Sequence, residues 1–194
     1  ATTDELVTLA ATASRHRGFY ASHIRGEGAT LLDAVREAIH IGREGDLPVQ
    51  ISHVKAAGRP NWGKVADALS LIDEARAEGL DVMADVYPYT ASSTTIRTLL
   101  PDWALEGGID AMLKRLADPE IRARLKREVV TGSPGWSNLV EASGGWDHIV
   151  LANARNDANK KFENKSIAAI GKEWSKDPAD AAFDLVAQGT GRVM

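Results

Sequence analysis

Two short apolar runs in this sequence end in the same dipeptide. FYASHIRGEG occupies residues 19–28 and VQISHVKAAG residues 49–58, so His23 and His53 stand thirty positions apart. That interval is about one βαβ unit. The residues around it have the matching rhythm. Between the runs, ATLLDAVREAIHIGREG carries Leu31, Leu32, Val35, Ala38 and Ile39 at helical spacing, with Gly45 where a helix would stop. The pattern predicts strands over 18–24, 49–54 and 82–87, the last ending at Pro88. A helix over 62–78 places Val65, Ala68, Leu69 and Ile72 on one face and stops at Gly79. An earlier helix follows Thr3, read as its N-cap, with Asp4 and Glu5 favourable at its positive end. Strand, helix, strand, helix, strand with short connections dictates a parallel sheet with right-handed crossovers.

After Tyr89 the alternation is lost. TASSTTIRTLL reads as a loop, and 103–130 reads as helical, with a second helix opening at Asp118-Pro119. Residues 131–146 are turn-rich, and a further strand is predicted over 147–154. Helices near 166–174 and 178–188 follow, the last behind an Asp177-Pro178 cap. The expected organisation is therefore βα units over 1–96 and a mainly helical part over 97–194 with one short strand near 147–154.

Composition narrows the function class. The 194 residues are 44% hydrophobic and 26% charged with a net charge of −4, the profile of a globular protein. The mildly acidic balance, without a basic cluster, argues against nucleic acid as a partner. No run is long enough for a transmembrane helix, so no membrane partner is expected. The absence of cysteine excludes disulfides and thiolate ligands, and it fits a cytoplasmic protein.

The chemistry centres on the two histidines. Sites on parallel sheets form at the C-terminal ends of strands, where both lie. Adjacent strands run about 4.8 Å apart. Two imidazoles on neighbouring strands in step can therefore reach one ion at about 2.1 Å. The alternative is two ordinary histidines, each satisfied by backbone. A metal normally takes three or more ligands, and no obvious third is present: His16 precedes the first strand, His40 lies on a helix and His148 starts the late strand. Lys55 follows His53 by two residues and so shares its face on a strand. Asp85, near the end of the third strand, is either a partner for such a group or a satisfier of backbone.

YASHIRGEG, VQISHVKAAG, NWGK and DVYPYTASST, in this order and spacing, resemble the N-acyl-D-amino-acid deacylases (D-aminoacylases) of the amidohydrolase superfamily. LPDWALEGG and SKDPADAAFDLV are similar to longer members of that family. The resemblance implies a metal-dependent TIM barrel, here an α/β partial TIM barrel of parallel βα units with a helical insertion subdomain that acts as a lid. It implies that His23 and His53 are zinc ligands, and that Lys55, Tyr87 and Ser93 bind the substrate. Lys55 and Tyr87 would take its free carboxylate. The implied reaction is zinc-dependent hydrolysis of the amide bond of an N-acyl-D-amino acid, with one or two zinc ions in the complete enzyme.

The resemblance also implies a His-x-His pair, a cysteine ligand and a proton-transferring aspartate that this sequence does not supply. No catalytic residue is therefore assigned within it. The chain is expected to correspond to an internal stretch that holds zinc weakly or not at all, is inactive alone and has the rest of its own barrel as partner. Where members with a short lid often have Arg-Asp-Glu after the first histidine, this sequence has RGEG, and SHVK stands in place of SHHK. Those departures bear on substrate class. Two other readings are a cyclic-amide hydrolase of dihydropyrimidinase type, against which a carboxylate-binding Lys55 argues, and a non-catalytic α/β binding module.

Overall fold

The computed structural model describes residues 1–132, 136, 138–189 and 191–194. The chain forms two compact units, Ala1–Thr90 and Ala91–Met194.

The first unit runs α1 (Thr3–Ser14), β1 (Tyr20–Ser22), α2 (Leu31–Gly45), β2 (Val49–Val54), α3 (Lys64–Ala77) and β3 (Val82–Val86). Its sheet has the order β1-β2-β3, and both pairs are parallel. Tyr20 stands beside Val49, and Val49 beside Val82, so the three strands start level. This is the mixed α/β arrangement with a parallel sheet that the alternation dictates.

Three details differ from expectation. The N-cap of α1 is Thr2, not Thr3, because Thr2 and Glu5 exchange side-chain and backbone bonds in a capping box. The strand predicted over 18–24 shrinks to three residues. The turn closing α1 runs through Gly18, whose N–H donates to Ala13 at 2.9 Å, and delays the strand. Leu69, expected on the core face of α3, is 46% exposed. Ala68, Ile72 and Ala75 form the buried stripe instead, at the i, i+4, i+7 spacing of one helix face.

The core explains why α2 and α3 lie on the sheet. Leu31, Ala34, Val35, Ala38 and Ile39 of α2 cluster with Val49, Ile51 and Val54 of β2, Val82 of β3 and the α3 stripe. Fully burying one such aliphatic side chain contributes about 1.5–3 kcal/mol. The helix comes closest at Gly42, where an added Cβ would lie 2.1 Å from Val49 Cγ2.

The second unit is mostly helical. It contains α4 (Asp102–Leu105), α5 (Gly108–Ala117), α6 (Pro119–Thr131), α7 (Leu139–Ser143), α8 (Ile167–Glu173) and α9 (Pro178–Ala187). Asp118 caps α6 by accepting from the N–H groups of Glu120 and Ile121, and Asp177 caps α9 through Ala179. Three short strands, β4 (Thr94–Thr95), β5 (Leu151–Asn153) and β6 (Arg192–Val193), form an antiparallel sheet in the order β4-β6-β5. Of these, β4 lies in the stretch read as a loop, β5 is shorter than the strand predicted over 147–154, and β6 was not foreseen. In the stretch read as turns, Asn138 caps the short α7. Ser133, Pro134, Gly135 and Ser137 of that stretch lie outside the described residues.

Phe183 is fully buried in the core of this unit, in one cluster with Ile96, Leu99, Leu125, Leu151 and Ile170. Charge ties α6 to α9 around it. Arg122 donates to Asp180 at 3.0 Å and to Asp184 at 2.9 Å, and Lys126 donates to Asp180 at 2.7 Å. Burial by itself would raise the Asp180 carboxyl. Hydrogen bonds from Lys126 and Arg122, with their charges, outweigh it and hold the group below its ordinary value.

Two expectations follow from this packing. Gly42→Ala gains helix propensity of about 1 kcal/mol but overpacks the Val49 contact at about 1–3 kcal/mol. A lower urea midpoint is expected, since the contact falls on the sheet side of the helix. A depressed carboxyl contributes stability above the unfolded Asp value that is lost as pH falls through the folded one. Wild-type stability should therefore drop below about pH 4, and Asp180→Asn should show a shallower acid limb in denaturation curves taken from pH 7 to 2.

Candidate functional site

The buried and half-buried positions of β2 alternate through Val49, Gln50 and Ile51, and then the pattern breaks. Ser52 and His53 are both half-buried, and Val54 is buried again. Against β3, Ile51 pairs with Ala84 and Val54 with Val86. Two residues of β2, Ser52 and His53, thus oppose the single residue Asp85. This is a β-bulge, and His53 within it has φ +44°. Strict alternation would have put His53 on the face of Val49 and Ile51, against the helices. The bulge puts it on the face of Gln50 instead.

Asp85 receives the displaced backbone. Its Oδ1 accepts from the His53 N–H at 2.6 Å, and its Oδ2 accepts from Gln50 Nε2 at 2.8 Å. A left-handed residue other than glycine costs about 1–2 kcal/mol. A hydrogen bond to a charged group contributes about 1.5–3 kcal/mol, enough to offset that cost. Of the two roles considered for Asp85, the structure has it satisfying backbone.

His23 is exposed in the loop that follows β1. Its Nδ1 and His53 Nε2 face each other in a short hydrogen bond, with ring centroids 4.3 Å apart. Past the bulge the alternation resumes, so Val54 is buried and Lys55 returns to the side of His53. Lys55 Nζ lies 2.7 Å from His53 Nδ1 and 4.7 Å from the centroid of the Tyr87 ring. The Tyr87 ring stacks on His53 at 5.7 Å. His23, His53, Lys55 and Tyr87 therefore meet at the C-terminal ends of three neighbouring strands. Ser93 belongs to the second unit, where its Oγ accepts from Arg192 Nε at 3.2 Å. The other histidines, His16, His40 and His148, are exposed.

Glu27, the glutamate of the RGEG stretch after His23, is the member to which the sequence alone assigned no role. Its Oε1 accepts from Lys55 Nζ at 2.5 Å and lies 2.9 Å from His53 Nδ1. The loops after β1 and β2 run side by side, joined by a bond from the Ala57 N–H to the Glu27 carbonyl at 2.7 Å. Gly26 lets the first loop close onto Thr30, since a Cβ there would lie 1.9 Å from Thr30 Oγ1. The available signal was the pairing of opposite charges in the loops after two adjacent parallel strands.

No family model matches the chain. A D-aminoacylase of Alcaligenes xylosoxydans xylosoxydans is 45% identical over 97 residues, half of this chain and 20% of its own length. An N-acyl-D-glutamate deacylase of the same organism is 44% identical over 92 residues, 47% of this chain and 19% of its own. Over about half its length the chain is similar to N-acyl-D-amino-acid deacylases. Solved deacylase structures match the fold from end to end. The N-acyl-D-glutamate deacylase of Bordetella bronchiseptica, solved with zinc and a phosphonate inhibitor, matches 100% of this chain and 31% of its own with a TM-score of 0.68 and 26% identity. A crystal structure of D-aminoacylase matches the same shares with a TM-score of 0.63 and 26% identity. The chain thus spans about one fifth of the length of the curated deacylases it matches.

The deacylase relatives direct the test for metal. Two imidazole nitrogens directed at one point are a suitable pair of zinc donors. Among the described residues no group of three or more His, Cys, Asp or Glu side chains is placed to hold a metal ion. The histidine pair alone supplies fewer than the three or more ligands that a zinc site normally takes.

Lys55 is only 17% exposed, and Glu27 neutralises it. Glu27→Ala should lower stability by about 1–3 kcal/mol by leaving the ammonium underpaired. Adding Lys55→Met should recover part of that loss. A double-mutant cycle in urea should give a coupling of about 0.5–3 kcal/mol, and additive losses would mean the pair is not formed in solution.

Proposed function

We propose that this chain is part of a metal-dependent deacylase that hydrolyses the amide bond of N-acyl-D-amino acids. The observation that carries the reading is the meeting of His23 Nδ1 and His53 Nε2 at the strand ends, with Lys55 and Tyr87 on the same side. In this reading the three parallel strands are consecutive βα units of a TIM barrel, and the helical unit is an insertion in the chain. Two things support the barrel. Parallel sheets are covered on both faces, whereas Met83 and Val86 of β3 are 55% and 69% exposed. The matched deacylases are also about three times as long as the stretch they share with this chain.

His23 and His53 would hold zinc, one or two ions with ligands from the rest of the barrel. A bound zinc supplies Lewis acidity toward the scissile carbonyl. The other residues of this chain orient the substrate. The Lys55 ammonium takes one oxygen of its free carboxylate and the Tyr87 hydroxyl donates to the other. That grip sets the distance between carboxylate and amide, so the scissile bond is presented rather than merely bound. Proton transfer falls to groups outside this chain, and the chain alone is inactive.

The test uses Lys55→Met in the complete enzyme, assayed on an N-acetyl-D-amino acid and on its carboxamide. Loss of one charged hydrogen bond, about 1.5–3 kcal/mol, corresponds to roughly a ten- to two-hundredfold fall in kcat/KM on the acid. The fall should be smaller on the carboxamide, which has no charge for Lys55 to neutralise. Equal losses would assign Lys55 to the fold or the metal. A wild-type enzyme that cleaves neither compound would remove the deacylase reading.

A further inference from the structure

The bulge in β2 separates two registers of the same strand. In one, His53 points away from the helix layer and meets His23. In the other, a regular strand, His53 takes the face of Val49 and Ile51 and Val54 turns outward. Burial favours the first register, because Val54 is apolar and almost fully covered. Burial does not, however, satisfy the peptide N–H that the bulge removes from the ladder. Only Asp85 does so, through Oδ1, while Gln50 steadies its other oxygen. Asp85 is also the one β3 residue set opposite two residues of β2, Ser52 and His53.

We propose that Asp85 is a positioning residue: it holds the bulge that turns the His53 ring toward His23. It touches neither imidazole and acts through the backbone of one of them. Its consequence for zinc rests on the deacylase reading above, but its consequence for the backbone does not.

The experiment uses the 194-residue chain, isotopically labelled, with Asp85→Ala and Asp85→Asn. The readouts are the HN–Hα coupling and Cα shift of His53, which report a positive φ, and cross-relaxation between the His23 and His53 rings. Wild type should show both signatures. Asp85→Ala should move His53 to extended values and lose the ring contact, with shifts elsewhere in the chain preserved. Asp85→Asn, which keeps a carbonyl acceptor, should restore both. A merely structural role would lower stability without changing the His53 backbone. An Asp85→Ala protein that keeps a left-handed His53 overturns the proposal. If that variant does not fold, Asp85→Asn decides: retention of the positive φ supports the proposal and its loss overturns it.

Zinc titration of the same proteins separates the two ideas. In a wild type that binds zinc, Asp85→Ala should weaken affinity on the order of ten- to a hundredfold. A wild type that binds none, yet shows the Asp85-dependent backbone change, supports the positioning role and agrees with a histidine pair whose other ligands lie outside this chain.

Discussion

At Gly42 the backbone of α2 approaches Val49 so closely that one methyl group would not fit. This contact sets the position of β2 on its helix layer, and β2 is the middle strand, hydrogen-bonded to both neighbours. Once it is placed, the parallel registers carry β1 and β3 with it, and the three strands start level. His23, Lys55 and Tyr87 each sit one residue beyond a strand, His23 after the short β1 and Lys55 and Tyr87 after the longer β2 and β3. The fourth member, His53, needs the additional device of the bulge.

The division between what could and could not be read from the sequence follows this hierarchy. Periodicity located α2 and β2 at their ends, because both have long apolar patterns with a glycine or proline as punctuation. It located the cap of α6 and the cap of α9, since Asp-Pro is a local signal that needs no tertiary partner. It missed β4 and β6, two residues each, whose formation depends on pairing across about a hundred positions of chain. It also missed the bulge. Nothing in VQISHV distinguishes a regular strand from one with an extra residue, because the cause lies on β3, in Asp85. Glu27 was overlooked for the same reason: its partners are on the next loop, not on its own.

The two units are built in different ways. In the first, apolar helix faces lie on a sheet and the charged groups gather at the strand ends. In the second, short helices share a core that includes Phe183, and ion pairs join α6 to α9. Lys126, Arg122, Asp180 and Asp184 are all partly covered, so their attraction is less screened than that of an open surface pair. Capping asparates do for the helix starts what aliphatic packing does for their middles.

The closeness of Glu27 to Lys55 has a kinetic consequence. A lone ammonium at the mouth of a site projects a field that gathers anions from solution and raises their encounter rate. Here the carboxylate cancels most of that field at its source, and what remains is a dipole whose reach is shorter than the screening length of about 8 Å in physiological salt. An anionic ligand would arrive by unassisted diffusion and would feel Lys55 only on contact, when it takes the place of Glu27. The arrival rate would change little with ionic strength, and selection among anions would be made by the exchange of one carboxylate for another.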